Sequence, residues 1–154
     1  MAGMRALGRV YDVVPAGAAA TAITVCLKDC SAVGIVASVG ATATGTLTFT
    51  ASTSFGGTYV AVQPSAGFGN PPTWYKRSPA NTVAWAAQTA SWAAGVLTIR
   101  STSGDLCYVD YLVSELADTY DYLKVLPGAA VTVTGILYDL VVQRTPANLR
   151  IPSA

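Results

Sequence analysis

GATATGTLTFTASTSFGGTYVAV, residues Gly40–Val62, is the stretch on which the reading of this chain turns. Within it Leu47, Phe49 and Ala51 alternate with Thr46, Thr48 and Thr50. A period of two puts the apolar set on one face of an extended strand and the threonines on the other. Threonine suits the wetter face because its branched Cβ fits a pleated backbone. The run stops at Ser54-Phe55-Gly56-Gly57, where paired glycines allow the positive φ of a tight hairpin. Thr58–Val62 then alternates again, so the stretch is predicted to be a β-hairpin.

The flanking chain reads the same way. Met1–Pro15 is an arm or a first edge strand, ended by Pro15-Ala16-Gly17. Ala18–Leu27 is a strand with Ile23 and Val25 on one face, and Lys28-Asp29 turns the chain. Ala32–Val39 is an apolar core strand broken by Gly34. Beyond the hairpin, Gln63–Asn81 (QPSAGFGNPPTWYKRSPAN) holds four prolines and two glycines. It reads as a long loop, a class of segment that tends to carry function. In Thr82–Ala94 the seven-residue spacing of Trp85 and Trp92 fits one face of a helix, and strand pieces split at Gln88-Thr89 fit equally. The β pattern on either side selects the strands.

Val96–Ser101 is a strand with Leu97 and Ile99 facing one way, turned at Ser103-Gly104-Asp105. Leu106–Val113 follows, with Cys107, Val109, Tyr111 and Val113 inward and Tyr108, Asp110 and Leu112 outward. Ser114–Ala117 is a helical turn or corner. Thr119–Leu126 is the next strand, and Pro127-Gly128 turns it. Ala130–Gln143 reads as the longest strand, with a bulge at Gly135 that changes the inward set from Val131 and Val133 to Ile136 and Leu140. About nine short strands with turn signals between them predict an all-β fold, a single antiparallel β-sandwich or jelly roll. The sandwich spans residues 18–143, between an N-terminal arm or edge strand (1–17) and a C-terminal tail (144–154).

Composition narrows the function classes. The 154 residues are 52% hydrophobic but only 11% charged, less than half the charge of an average soluble domain. Either much of the surface sits against neighbours, or a Thr/Ser-rich β surface simply needs few charges. The net charge is +1 and the nine Lys and Arg residues are scattered, Lys76-Arg77 being the one adjacent pair. A nucleic-acid partner would call for a basic stripe, so none is expected. No run of apolar residues is long enough for a membrane helix, and Arg9 and Asp12 interrupt any signal-peptide core.

With no histidine in the chain, Ser-His-Asp and Cys-His nucleophiles are excluded, as are histidine zinc sites. Cys26, Cys30 and Cys107 would leave a zinc site one ligand short, and they read as small buried thiols. On one extended strand Cys26 and Cys30 would stand about 13 Å apart at about 3.3 Å per residue, too far to bridge. A turn at Lys28-Asp29 would bring them nearer. Glu115, Asp118 and Asp121 form the one acidic cluster and match no glycosidase or calcium pattern. No enzyme and no cofactor are expected. Trp74, Tyr75, Lys76 and Arg77, aromatics beside basic residues in the long loop, are the leading partner-contact candidates. The alternative is that Trp74 caps the core from outside. Arg5, Arg9 and Arg150, in the arm and the tail, come second.

Three segments taken together carry a resemblance: SAVGIVASVGATATGTLTFTASTSFGGTYVAV, the corner VDYLVSELADTYDYLKVLP, and the closing GAAVTVTGILYDLVVQRTPANL. They resemble small β-sandwich structural proteins of tailed bacteriophages, over roughly Ala22–Arg144. The resemblance implies a virion structural protein, assembled in the host cytoplasm, that binds the major capsid protein as a decoration or cement subunit. It brings no catalytic residues. A homo-oligomer is expected, and a trimer suits the local symmetry axes of an icosahedral lattice. A neck or tail component of the same virion is a second reading. A carbohydrate-binding or adhesive sandwich using Trp74, Trp85 and Trp92 is a third, and the mostly alanine surroundings of Trp85 and Trp92 weigh against it.

Overall fold

The structure, a computed structural model, describes residues 12–13, 17–18, 21–28, 30–40, 43–62, 74–77, 84–88, 92–101, 105–112 and 119–138. These contain thirteen strands: β1 (Asp12–Val13), β2 (Gly17–Ala18), β3 (Ile23–Cys26), β4 (Ala32–Val39), β5 (Ala43–Ser52), β6 (Val60–Ala61), β7 (Trp74–Arg77), β8 (Ala86–Gln88), β9 (Trp92–Ala93), β10 (Val96–Ser101), β11 (Leu106–Leu112), β12 (Tyr122–Pro127) and β13 (Val131–Tyr138). They form two sheets with antiparallel pairing throughout. The first runs β1-β13-β4-β11-β7-β8 with β2 also on β13; the second runs β3-β12-β5-β10-β9 with β6 also on β5. The all-β sandwich expected from the alternating pattern is the observed architecture.

The alternation explains the core. Leu47, Phe49 and Ala51 of β5 are wholly buried, joined by Val25 from β3, Leu97 and Ile99 from β10, and Leu123 and Val125 from β12. They pack in one cluster with Val33, Ile35 and Val39 of β4, Cys107 and Val109 of β11, and Val131, Val133 and Leu137 of β13. Each sheet thus gives its inward positions to a single shared layer, the arrangement that lets two half-apolar sheets hide from water. Cys26, Cys30 and Cys107 are free, buried thiols.

The β5–β6 hairpin forms, with Thr50 opposite Ala61 and Ala51 opposite Val60. Its turn is not closed as expected. Among the described residues positive φ falls at Ala94, Gly95 and Ala130, and not at Gly56 or Gly57. Gly57 is needed for room instead: a Cβ there would lie 2.6 Å from Ser54 Oγ and 2.7 Å from Ser52 Oγ. The positive-φ turn is at Ala94-Gly95, with φ of 49° and 78°. It joins β9 to β10, which pair Ala93 with Val96, and two successive positive-φ residues make it a two-residue loop of the primed kind.

Other expectations are corrected. Gly34 does not break β4, which runs unbroken from Ala32 to Val39. Gly135 carries no bulge: β13 pairs with β4 one-to-one from Val131–Val39 to Tyr138–Ala32. The inward set therefore continues through Leu137, which is buried, and does not pass to Ile136. The longest strand is β5, with 10 residues. Gly17, expected to end the first strand, lies in β2 itself, and both β1 and β2 pair with β13; of the two readings of the N-terminal segment, arm or edge strand, residues 12–13 take the edge strand. Trp74–Arg77 is a strand paired with β11 and β8, not loop. The Thr82–Ala94 segment does form strand pieces, β8 and β9, and they belong to different sheets. The helical turn at Ser114–Ala117, the inward Leu140, and the tail lie outside the described residues.

Candidate functional site

The leading contact candidates fall on β7, and strand alternation divides them. Trp74 lies opposite Val109, and Lys76 opposite Cys107, so both share the inward face with those buried residues. Trp74 is 5% exposed and part of the core cluster; its indole Nε1 has no hydrogen-bond partner among the described residues. The exposed-aromatic reading does not hold for Trp74, because the strand pairing carries its ring inside. Lys76 Nζ lies 2.9 Å from Asp105 Oδ2, and the Asp105 side chain is wholly buried. A buried carboxylate needs such a cation nearby, since desolvation would otherwise be severe. Lys76 is therefore committed to holding the start of β11.

Cys107 is buried beside this pair. Burial pushes its thiol up to about 12, with the Asp105 carboxylate adding to the rise and Lys76 opposing it. A thiol so held is not a nucleophile near neutral pH. Cys30 Sγ lies 3.7 Å from the Leu27 carbonyl oxygen in the turn after β3. Among the described residues no group of three or more His, Cys, Asp or Glu side chains could hold a metal ion. Of the acidic cluster, Asp121 bonds Lys28 at 2.9 Å, and Glu115 and Asp118 lie outside the described residues.

Tyr75 and Arg77 alternate to the outer face of the first sheet, opposite Tyr108 and Leu106. The Tyr75 and Tyr108 ring centroids are 6.4 Å apart, tilted by 36°. Trp85, next to β8, meets Tyr108 edge-on at 6.4 Å and is 43% exposed. Three rings, two from neighbouring strands and one from the residue before β8, thus stand together on this face. Linear order separates Tyr108 from the other two, so only its outward place in the alternation hinted at it.

The outer face of the second sheet is built differently. The loop of the β5–β6 hairpin folds back over it. Tyr59 Oη donates to the Phe55 carbonyl oxygen at 2.9 Å, Phe55 meets Tyr122 edge-on at 6.1 Å, and Lys124 Nζ sits 4.0 Å from the Tyr59 ring centroid. That last contact is a cation–π interaction of about 0.5–1 kcal/mol at a surface site. Burial raises the Tyr59 phenol above its ordinary value, against a hydrogen bond with Thr24 that lowers it and a smaller upward push from Tyr122. The face also carries Thr46, Thr48 and Thr50 of β5, the β10 positions Val96, Thr98 and Arg100 that pair on the threonine side, and Leu126 of β12. Phe55 and Leu126 stand out from this face at 49% and 39% exposed; Val60, 40% exposed, lies opposite the inward Ala51 and so belongs to the other side of the sheet, at its edge. An apolar residue inside a glycine-marked turn, as Phe55 is, was the available sequence signal for this face. Arg5, Arg9 and Arg150 lie outside the described residues.

No protein-family model, no curated protein and no solved structure matches this chain.

Proposed function

We propose that this chain is a virion structural subunit of a tailed bacteriophage, binding the major capsid lattice as a decoration or cement protein that stabilises the head. The observation that carries the reading is the outer face of the second sheet. It is rich in threonine, its Lys124 is held against Tyr59, and Phe55 and Leu126 stay exposed around it. A threonine-rich face with standing apolar side chains suits a dry contact with another protein. The phage-like segments of the sequence supply the identity of that protein. Many copies, each held weakly, would together resist expansion of the shell.

The test is to add pure protein to capsids stripped of accessory subunits and count bound copies. Copy numbers that track the capsid lattice are expected, with little loss at raised salt because few charges are involved. The Phe55→Ser/Leu126→Ser double variant, still folded, should fail to decorate. A failure of the wild-type chain to bind stripped particles would overturn the reading. A single ring's worth of copies would move it to the neck or tail.

A further inference from the structure

β8 ends the first sheet. On one side it pairs with β7, Ala86 opposite Lys76 and Gln88 opposite Trp74; among the described residues no strand lies on its other side. Ala86 and Ala87 are both exposed, although alternation sends them to opposite faces. β8 therefore stands clear of the core on both faces as well as along one edge. Sheets ordinarily guard such an edge with charge, proline or a bulge. This one carries none of the three. No charged residue occurs between Arg77 and Arg100, Ala84–Gln88 holds no proline, and the ladder to β7 runs one-to-one.

Gln88 indicates what the edge lacks. Its Nε2 reaches back to the Ala86 and Ala87 carbonyl oxygens at 3.2 and 3.3 Å. Successive carbonyls of a strand point to opposite sides, so one of these two is turned away from β7. A side-chain N–H thus stands where the backbone N–H of a further strand would be. The partner that fits is an extended, uncharged segment bringing backbone donors and acceptors, the chemistry of strand addition.

A second copy of the same segment meets that description. Two antiparallel edge strands can be related by a two-fold axis perpendicular to the sheet, so that one sequence supplies both sides of the contact. With the axis at Ala86, that residue meets its own copy, Trp85 lies opposite Ala87, and Ala84 lies opposite Gln88. The whole of Ala84–Gln88 is then paired. The residue that meets itself is small and uncharged, and each large ring is set against a methyl group. Trp85 also leans away from the edge, onto Tyr108 two strands further in. An unrelated strand would satisfy the backbone equally well, but only the self-pair matches large to small by symmetry.

We propose that β8 is a self-pairing edge: two copies of this protein join through antiparallel Ala84–Gln88 segments about a two-fold axis at Ala86, and their first sheets become one continuous sheet. Backbone donors replace the Gln88 amide, and the exposed alanines are covered. The contact lies at the edge of the first sheet, away from the threonine-rich face of the second. It is therefore independent of capsid binding, and its two-fold pair differs from the trimer expected from lattice symmetry.

Sedimentation velocity of the full-length protein over about 1–500 µM tests this. A monomer–dimer equilibrium is expected. Ala86→Glu and Ala86→Lys each set like charges directly opposite one another across the axis, and each should weaken the dimer about fivefold or more. An equimolar mixture of the two variants opposes Glu to Lys, and should return association to the wild-type range. A variant that failed to fold could not give that recovery, and an axis elsewhere would not predict it. Phe55→Ala, on the other sheet, should associate as wild type. A chain that stays monomeric throughout the range, or that forms trimers, would overturn the proposal. So would a dimer unchanged by either Ala86 variant, or a mixture no tighter than the single variants.

Discussion

Ala94 and Gly95 hold the residue-scale lesson of the fold. Both have positive φ, at 49° and 78°, in the two-residue turn between β9 and β10. Gly95 is also tightly enclosed: a Cβ there would lie 2.6 Å from the Phe49 carbonyl oxygen and 3.1 Å from the Ala61 Cβ. Its own carbonyl accepts from the Phe49 N–H at 2.8 Å, which locks this turn to the centre of β5. Gly95→Ala should therefore cost about 2 kcal/mol or more, combining a left-handed backbone with a clash against main chain. Ala94 is exposed and has no such constraint, so Ala94→Asn, a residue suited to that backbone, should stabilise by about 0.5–1 kcal/mol. Urea unfolding of the two variants checks both signs. Cys107 makes a pH-dependent contribution. Below the ordinary thiol value of 9.0 both folded and unfolded chains keep its proton. Between that value and about 12 the unfolded chain releases it and the folded chain does not, so stability falls as pH rises through this window. Cys107→Ala should lose stability less steeply over the same range, as read from unfolding midpoints at successive pH values.

At the scale of elements, β13 and β7 show how pairing overrules local pattern. Val131 and Val133 set an inward phase, and the apolar Ile136 after Gly135 suggests that a bulge shifts it. The unbroken ladder against β4 keeps the phase instead, so Leu137 enters the core at 4% exposure and Ile136 remains half-buried outside. A strand in mid-sheet, with a neighbour on each side, has its register held by both, and one slip would turn every later side chain over. Leu137→Ala should accordingly cost about 2–4 kcal/mol, and Ile136→Ala under about 1 kcal/mol. A bulged strand would reverse that order, so the two unfolding free energies decide the register. In β7 the prolines around Trp74–Arg77 concealed a strand of four residues. Its inward Lys76 is stabilised by a partner, Asp105, that lies far away in sequence.

For the whole molecule, the sandwich gathers its apolar residues into one inner layer and leaves two outer faces of different character. One is threonine-rich with exposed Phe55 and Leu126; the other carries the Tyr75, Tyr108 and Trp85 rings. The low charge content, 11%, becomes intelligible at this scale, because several of the few charges are already paired inside the molecule: Lys76 with Asp105, Lys28 with Asp121. The capsid-decoration proposal belongs here, since it concerns what an entire face meets. Its expected insensitivity to salt follows from the same scarcity of free charge.

The alternating runs by themselves determined the strands and which side chains they bury. Leu47, Phe49 and Ala51, Leu97 and Ile99, and Leu123 and Val125 could each be assigned inward from local periodicity, because burying one face of a pleated strand leaves a two-residue trace in the chain. The strand pieces of the alanine-rich Thr82–Ala94 segment left no such trace of their own, and were legible only from the β pattern on either side. Which strands become neighbours was decided only in three dimensions. Pairing joins residues with no local trace of each other: Trp85 with Tyr108, Lys76 with Asp105, Gly95 with Phe49. The two outer faces are made from such pairs, so the candidate sites emerge only from the sheet order. The buried Trp74 and the unbulged Gly135 follow from the same cause, a register imposed by neighbouring strands on segments whose own residues left it open.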